Sequence, residues 1–68
     1  MNNDVSRINA FITNKNYERV NKLMKEERIL GMKLSKGAIL DLALTNLHNS
    51  LENGVSLTSI AEAMLNEK

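Results

Sequence analysis

The chain has 68 residues, no cysteine, no proline, one histidine and a formal net charge of +1. This composition excludes disulfides and thiolate metal sites, and there is no run of about 18 apolar residues to span a membrane. A domain this small buries only about 60% of the surface that its unfolded chain exposes. It therefore needs a staple, and with no disulfide and no metal-ligand spacing the expected staple is a second copy of the chain. An obligate homodimer without cofactor or metal is the expectation.

The charge is unevenly spread. Residues 1–37 carry Arg7, Lys15, Arg19, Lys22, Lys25, Arg28, Lys33 and Lys36 against Asp4, Glu18, Glu26 and Glu27, a balance of +4. Residues 38–68 balance at −3. Such asymmetry points to an anionic partner for the first half, or else to an ordinary mixed solvated surface. The opening MNNDVSR lacks the basic-then-apolar order of a signal peptide. With no cysteine to suit an oxidising compartment, a cytoplasmic location is expected.

In chain order, residues 1–5 read as a loose N-terminal segment. Over residues 6–13, Ile8, Ala10 and Ile12 alternate with Arg7, Asn9, Phe11 and Thr13, which is the period of a strand. Asn14 or Asn16 is expected to cap a first helix over about 15–30. Its apolar stripe is Tyr17, Val20, Leu23/Met24 and Leu30, and its other face carries Lys22, Lys25 and Glu26. Glu18 and Lys22 form an i,i+4 pair in the favourable order. Gly31 is read as the helix stop, followed by the connection GMKLS.

Ser35 is the expected N-cap of a second helix over about 35–52. Its apolar residues, Ala38, Ile39, Leu40, Leu42, Ala43, Leu44, Leu47 and Leu51, are too widely spread for one face. A helix apolar over most of its girth is buried on more than one side, which again asks for a second chain. The segment ENG at 52–54 ends this helix. Ser56 or Thr58 starts a third, with Leu57, Ile60, Ala61, Met64 and Leu65 as its stripe. Residues 53–68 are thus a C-terminal helical extension of a domain over 6–52.

A lone strand leaves backbone donors and acceptors unpaired along both edges, and even a two-stranded ribbon is marginal. Pairing with the same strand of a second chain about a two-fold axis resolves this. Ile8, Ala10 and Ile12 then lie on the helices and form the dimer core with Ile39, Leu42, Ala43 and Leu47. Arg7, Asn9, Phe11 and Thr13 face outward, once from each chain. A two-stranded ribbon fits the DNA major groove. Arginine can donate twice to guanine, and asparagine can pair with adenine through two hydrogen bonds.

Strand, helix, turn and helix, with LSKGAILDLAL opening the second helix, resembles the ribbon-helix-helix repressors of the Arc, MetJ and CopG type. The resemblance covers about residues 6–51. It implies a mostly α fold, an intertwined homodimer with its N-terminal strands paired antiparallel, and double-stranded DNA as partner. It also implies that the outward strand residues Arg7, Asn9, Phe11 and Thr13 contact bases. The start of the second helix, Ser35, Lys36 and Gly37, would hold phosphate, which the free N–H groups of a helix start attract. Lys33 and Lys15 would add attraction. The function implied is a sequence-specific transcriptional repressor of plasmid or phage type, autoregulatory, with dimers side by side on an operator. Gly31 lies four residues before Ser35, farther than is usual in the family, and Gly37 is a poor helix former by about 1 kcal/mol relative to alanine.

Phe11 has a second reading, in which strand parity slips and the ring enters the core. Ser35 has one as a simple N-cap. Lys22, Lys25 and Arg28 read as solvated-face residues. His48, beside Asn46, Asn49 and Ser50, reads as a surface residue. No glycine loop to cradle phosphate and no carboxylate pair stands out, so an enzyme is not expected. The alternative function is an antitoxin-like interaction module that grips a protein partner through Leu57, Ile60, Met64 and Leu65. A helix-turn-helix reader using LTSIAEAML ranks lower, because it leaves the alternating segment unexplained.

Overall fold

The computed structural model describes residues 5–67. The expected loose segment 1–5 lies, apart from Val5, outside the described residues, as does Lys68. The described residues form α1 (Asn14–Glu26), β1 (Arg28–Ile29), β2 (Met32–Lys33), α2 (Lys36–Glu52) and α3 (Leu57–Leu65). The chain is mostly helical, with a small antiparallel hairpin between its first two helices.

α1 starts on Thr13 rather than on Asn14 or Asn16. Thr13 is extended (φ −64°, ψ 154°), and its Oγ1 accepts the Asn16 N–H at 3.2 Å. This satisfies one of the orphan donors at the helix start. The Asn16 side chain instead accepts from Arg19 Nη1 at 2.8 Å. The helix ends at Glu26, four residues before the expected 30. The apolar stripe of Tyr17, Val20, Leu23 and Met24 next meets Glu27 and Arg28, which have nothing apolar to bury. Arg28 Nη1 turns back and donates to the carbonyls of Glu27 (2.8 Å) and Lys25 (3.3 Å), closing the helix end.

The connection is a hairpin, and Gly31 is part of its turn rather than a helix stop. Arg28 pairs with Lys33 and Ile29 with Met32. Leu30 (φ 51°) and Gly31 (φ 81°) form the two-residue loop. Positive φ at both loop positions is the requirement of a type I′ turn, which matches the twist of the flanking strands.

α2 begins as expected, with the Ser35 Oγ accepting the Ala38 N–H at 3.1 Å. Its end is a Schellman motif. The N–H of Val55 donates to the Ser50 carbonyl at 3.0 Å and that of Gly54 to the Leu51 carbonyl at 3.2 Å, with Gly54 at φ 95°. Glycine accepts that left-handed geometry without penalty. α3 is capped by Ser56, not Thr58. The Ser56 Oγ accepts the Ser59 N–H at 3.0 Å.

The strand expected over 6–13 is not formed within the single chain. Residues 5–13 carry neither helix nor ladder, and the strand pairing among the described residues is β1 with β2. A ladder needs a partner edge, and among the described residues none pairs with the N-terminal arm.

The core is small. Among the described residues only Leu34 (8% exposed) and Ile39 (9%) are buried, at the hairpin exit and on the inner side of α2. Val20, Met24, Ala38, Leu47 and Ile60 are half-buried. Of the remaining expected core, Ile8, Ala10, Ile12, Leu42 and Ala43 are exposed in the single chain. The radius of gyration is 14.0 Å, against about 11 Å for a compact chain of this length. The accessible surface is 6475 Å², against roughly 4,300 Å² for a compact monomer of this mass.

Candidate nucleic-acid interface

The N-terminal arm keeps the two-residue period expected of it. Ile8, Ala10 and Ile12 together line a groove of about 220 Å³, whose other walls are Tyr17 and Val20 of α1 and Lys36 and Leu40 of α2. Phe11 lies fully exposed, and Arg7 and Asn9 are exposed too. In the single chain Phe11 is not part of the core. Thr13 is exposed too, but its hydroxyl oxygen is used in capping α1, so its role in the structure is local.

Lys36 joins this arm to the start of α2. It is the first residue of the helix, directly after the Ser35 cap, and it shares the groove with the arm's apolar side chains. The Ser35 Oγ takes the Ala38 N–H. The other free N–H groups of the first turn remain available to an anion. Gly37 is exposed, and a Cβ built there would meet only the Ser35 Oγ, at an ordinary 3.9 Å. Packing within the chain therefore does not require glycine at this position.

The other two cations expected to attract DNA, Lys33 and Lys15, fall into two different places. Lys33 is on β2, opposite Arg28 and three residues before Lys36. Lys15 is in the first turn of α1 and acts on the Glu67 carboxylate at the other end of the chain. Arg19 donates to Glu67 at 2.8 Å. These contacts hold the Glu67 carboxyl below its usual range, first through the Arg19 hydrogen bond and then through the two positive charges. The structure thus groups Lys33 with Ser35, Lys36 and Gly37, and sets Lys15 beside the end of α3.

Sequence reasoning missed two of these positions. Arg28, read as a solvated-face residue, closes α1 and forms a cross-strand partner of Lys33. Its signal was the charged run Glu26–Glu27–Arg28, which interrupts the apolar stripe. Arg19 was not assigned a partner because Glu67 lies 48 residues away in sequence. His48 is exposed, 4.0 Å from Glu52. Among the described residues, no cluster of His, Asp and Glu could hold a metal ion, and no helix is long and apolar enough to cross a membrane. No family model, curated protein or solved structure matches the chain.

Proposed function

We propose that the chain is a ribbon-helix-helix DNA-binding repressor that acts as an intertwined homodimer. The observation that carries this reading is the placement of the N-terminal arm. Its apolar residues Ile8, Ala10 and Ile12, though exposed in the single chain, together line a groove beside the capped start of α2, which Arg7, Asn9 and Phe11 do not line. Pairing two such arms antiparallel satisfies their backbone groups and creates a ribbon with an outward polar face. Arg7 and Asn9 read bases in the major groove. Ser35, Lys36 and Gly37 of each chain hold phosphates on either side. Occupying an operator over a promoter then blocks transcription.

The second chain also answers the excess surface. The roughly 2,000 Å² by which this chain exceeds a compact monomer is what an extensive obligate interface removes. On α2, Leu40, Leu44, Leu47 and Leu51 recur at spacings of four, three and four, the seam of a helix that packs against another. A second reading, a protein-interaction module, is favoured by one observation. α3 leaves Leu57, Met64 and Leu65 exposed, Leu65 at 82%.

The deciding experiment selects binding sites from a random duplex pool, with wild type and Asn9→Ala in parallel. Base reading by the arm yields a short enriched motif that blurs at one position in the variant, with a loss of about 1–3 kcal/mol in specific binding. No enrichment, or a motif indifferent to position 9, sinks the ribbon reading.

A further inference from the structure

The hairpin between α1 and α2 carries two local costs. Its cross-strand partners Arg28 and Lys33 have the same charge, and like charges directly opposite are destabilising. Its turn holds Leu30 at φ 51°, a left-handed conformation that costs a non-glycine residue about 1–2 kcal/mol. Leu30 is also 92% exposed, and Met32 beside it is exposed as well. A cheaper connection would use a polar turn and opposite charges.

The hairpin is firmly placed. Leu34, which follows β2, is one of two buried residues among those described, and Ser35 then caps α2. Lys33 is thus held three residues from Lys36 at the helix start. The hairpin itself contains no acid. The nearest acids in sequence, Glu26 and Glu27, line a hollow on the flank of α1 with Arg19, Lys22 and Leu23. Arg28 uses Nη1 on the carbonyls of Lys25 and Glu27, but its guanidinium has five N–H donors in all.

Resting on the DNA-binding reading above, we propose that this hairpin is a wing on the DNA that flanks the site read by the arm. Lys33 and Arg28 take backbone phosphates adjacent to those held at the start of α2, and Leu30 enters the minor groove against the sugars. Phosphates relieve the like-charge pair. Apolar side chains at such tips are covered by groove walls and base steps. The charge of the hairpin, and its continuity with Lys36, favour DNA over a protein surface.

The test compares two duplexes carrying the selected motif, one trimmed to the motif and one with roughly one helical turn of added flank on each side. Full-length wild type, Lys33→Ala and Leu30→Asn are measured on both, the last variant keeping a residue that tolerates the turn. Wild type is expected to bind the flanked duplex roughly three- to tenfold tighter than the trimmed one. Lys33→Ala should lose that advantage and shallow the salt slope by about one unit per phosphate contact on the flanked duplex only. Leu30→Asn should lose part of the advantage with the salt slope unchanged. Wild-type binding by both variants on the flanked duplex, or equal losses on both duplexes, overturns the wing and leaves Leu30 to a protein surface. If wild type selects no motif at all, the ribbon reading fails and the wing fails with it.

Discussion

Arg19 Nη2 donates to Glu67 Oε2 at 2.8 Å, tying the middle of α1 to the residue after the α3 cap across 48 positions of sequence. Both side chains are half-exposed, so the contact positions the C-terminal helix more than it stabilises the chain.

The pH dependence of that tie has a definite sign. The Glu67 carboxyl is lowered from its ordinary 4.5 chiefly by the Arg19 hydrogen bond. A depressed carboxylate contributes above its unfolded value and loses that contribution as pH falls through the folded one. The contact should therefore be intact at neutral pH and lost only below pH 4.5. A carboxyl NMR titration of wild type and Arg19→Gln checks this. The Glu67 midpoint should rise toward 4.5 in the variant, and an unmoved midpoint would show that Arg19 is not its partner in solution.

Leu30→Asn should raise the stability of the free protein by about 1 kcal/mol, because asparagine tolerates the left-handed turn that leucine resists. Denaturant midpoints of the two proteins measure it. A loss instead would mean that the Leu30 side chain is covered within the protein's own assembly.

Gly37→Ala should also stabilise the free protein, by up to about 1 kcal/mol. The added Cβ meets only the Ser35 Oγ at 3.9 Å. On the proposed phosphate contact the same Cβ stands in the way, so affinity for every duplex should fall together. Raised stability with unchanged DNA affinity would remove Gly37 from the interface.

Stability should depend on protein concentration. Among the described residues only Leu34 and Ile39 are buried, and the obligate dimer proposed above would melt higher as its concentration rises. Leu42 is exposed in the single chain, yet Leu42→Lys should abolish folding if it lies in the dimer core. Sedimentation and thermal melts across a hundredfold dilution decide it. A monomer with a constant midpoint contradicts the intertwined assembly.

Removing residues 55–68 separates the two roles of α3. If the helix packs on its own dimer, the loss of its Ile60 burial and of the Arg19–Glu67 contact lowers the melting temperature. Unchanged melting with intact DNA binding would assign the Leu57, Met64 and Leu65 face to another protein.

Local chemistry made several features legible from sequence. Serine at 35 and 56 caps the helices that follow, because each hydroxyl precedes a helical run and reaches an N–H three residues on. The two-residue period of Ile8, Ala10 and Ile12 put these side chains on one side, and Gly54 ends α2 because it alone needs no Cβ at φ 95°. Three things were decided only in three dimensions. Thr13 displaced Asn14 and Asn16 as cap, since all three have a suitable oxygen and only backbone geometry selects among them. The hairpin took residues that the helical stripe seemed able to continue, because the burial that would reward Leu30 in a helix is interrupted at Glu27 and Arg28. Arg19 met Glu67 because chain topology, which no local pattern encodes, brings the residue after the α3 cap against the middle of α1.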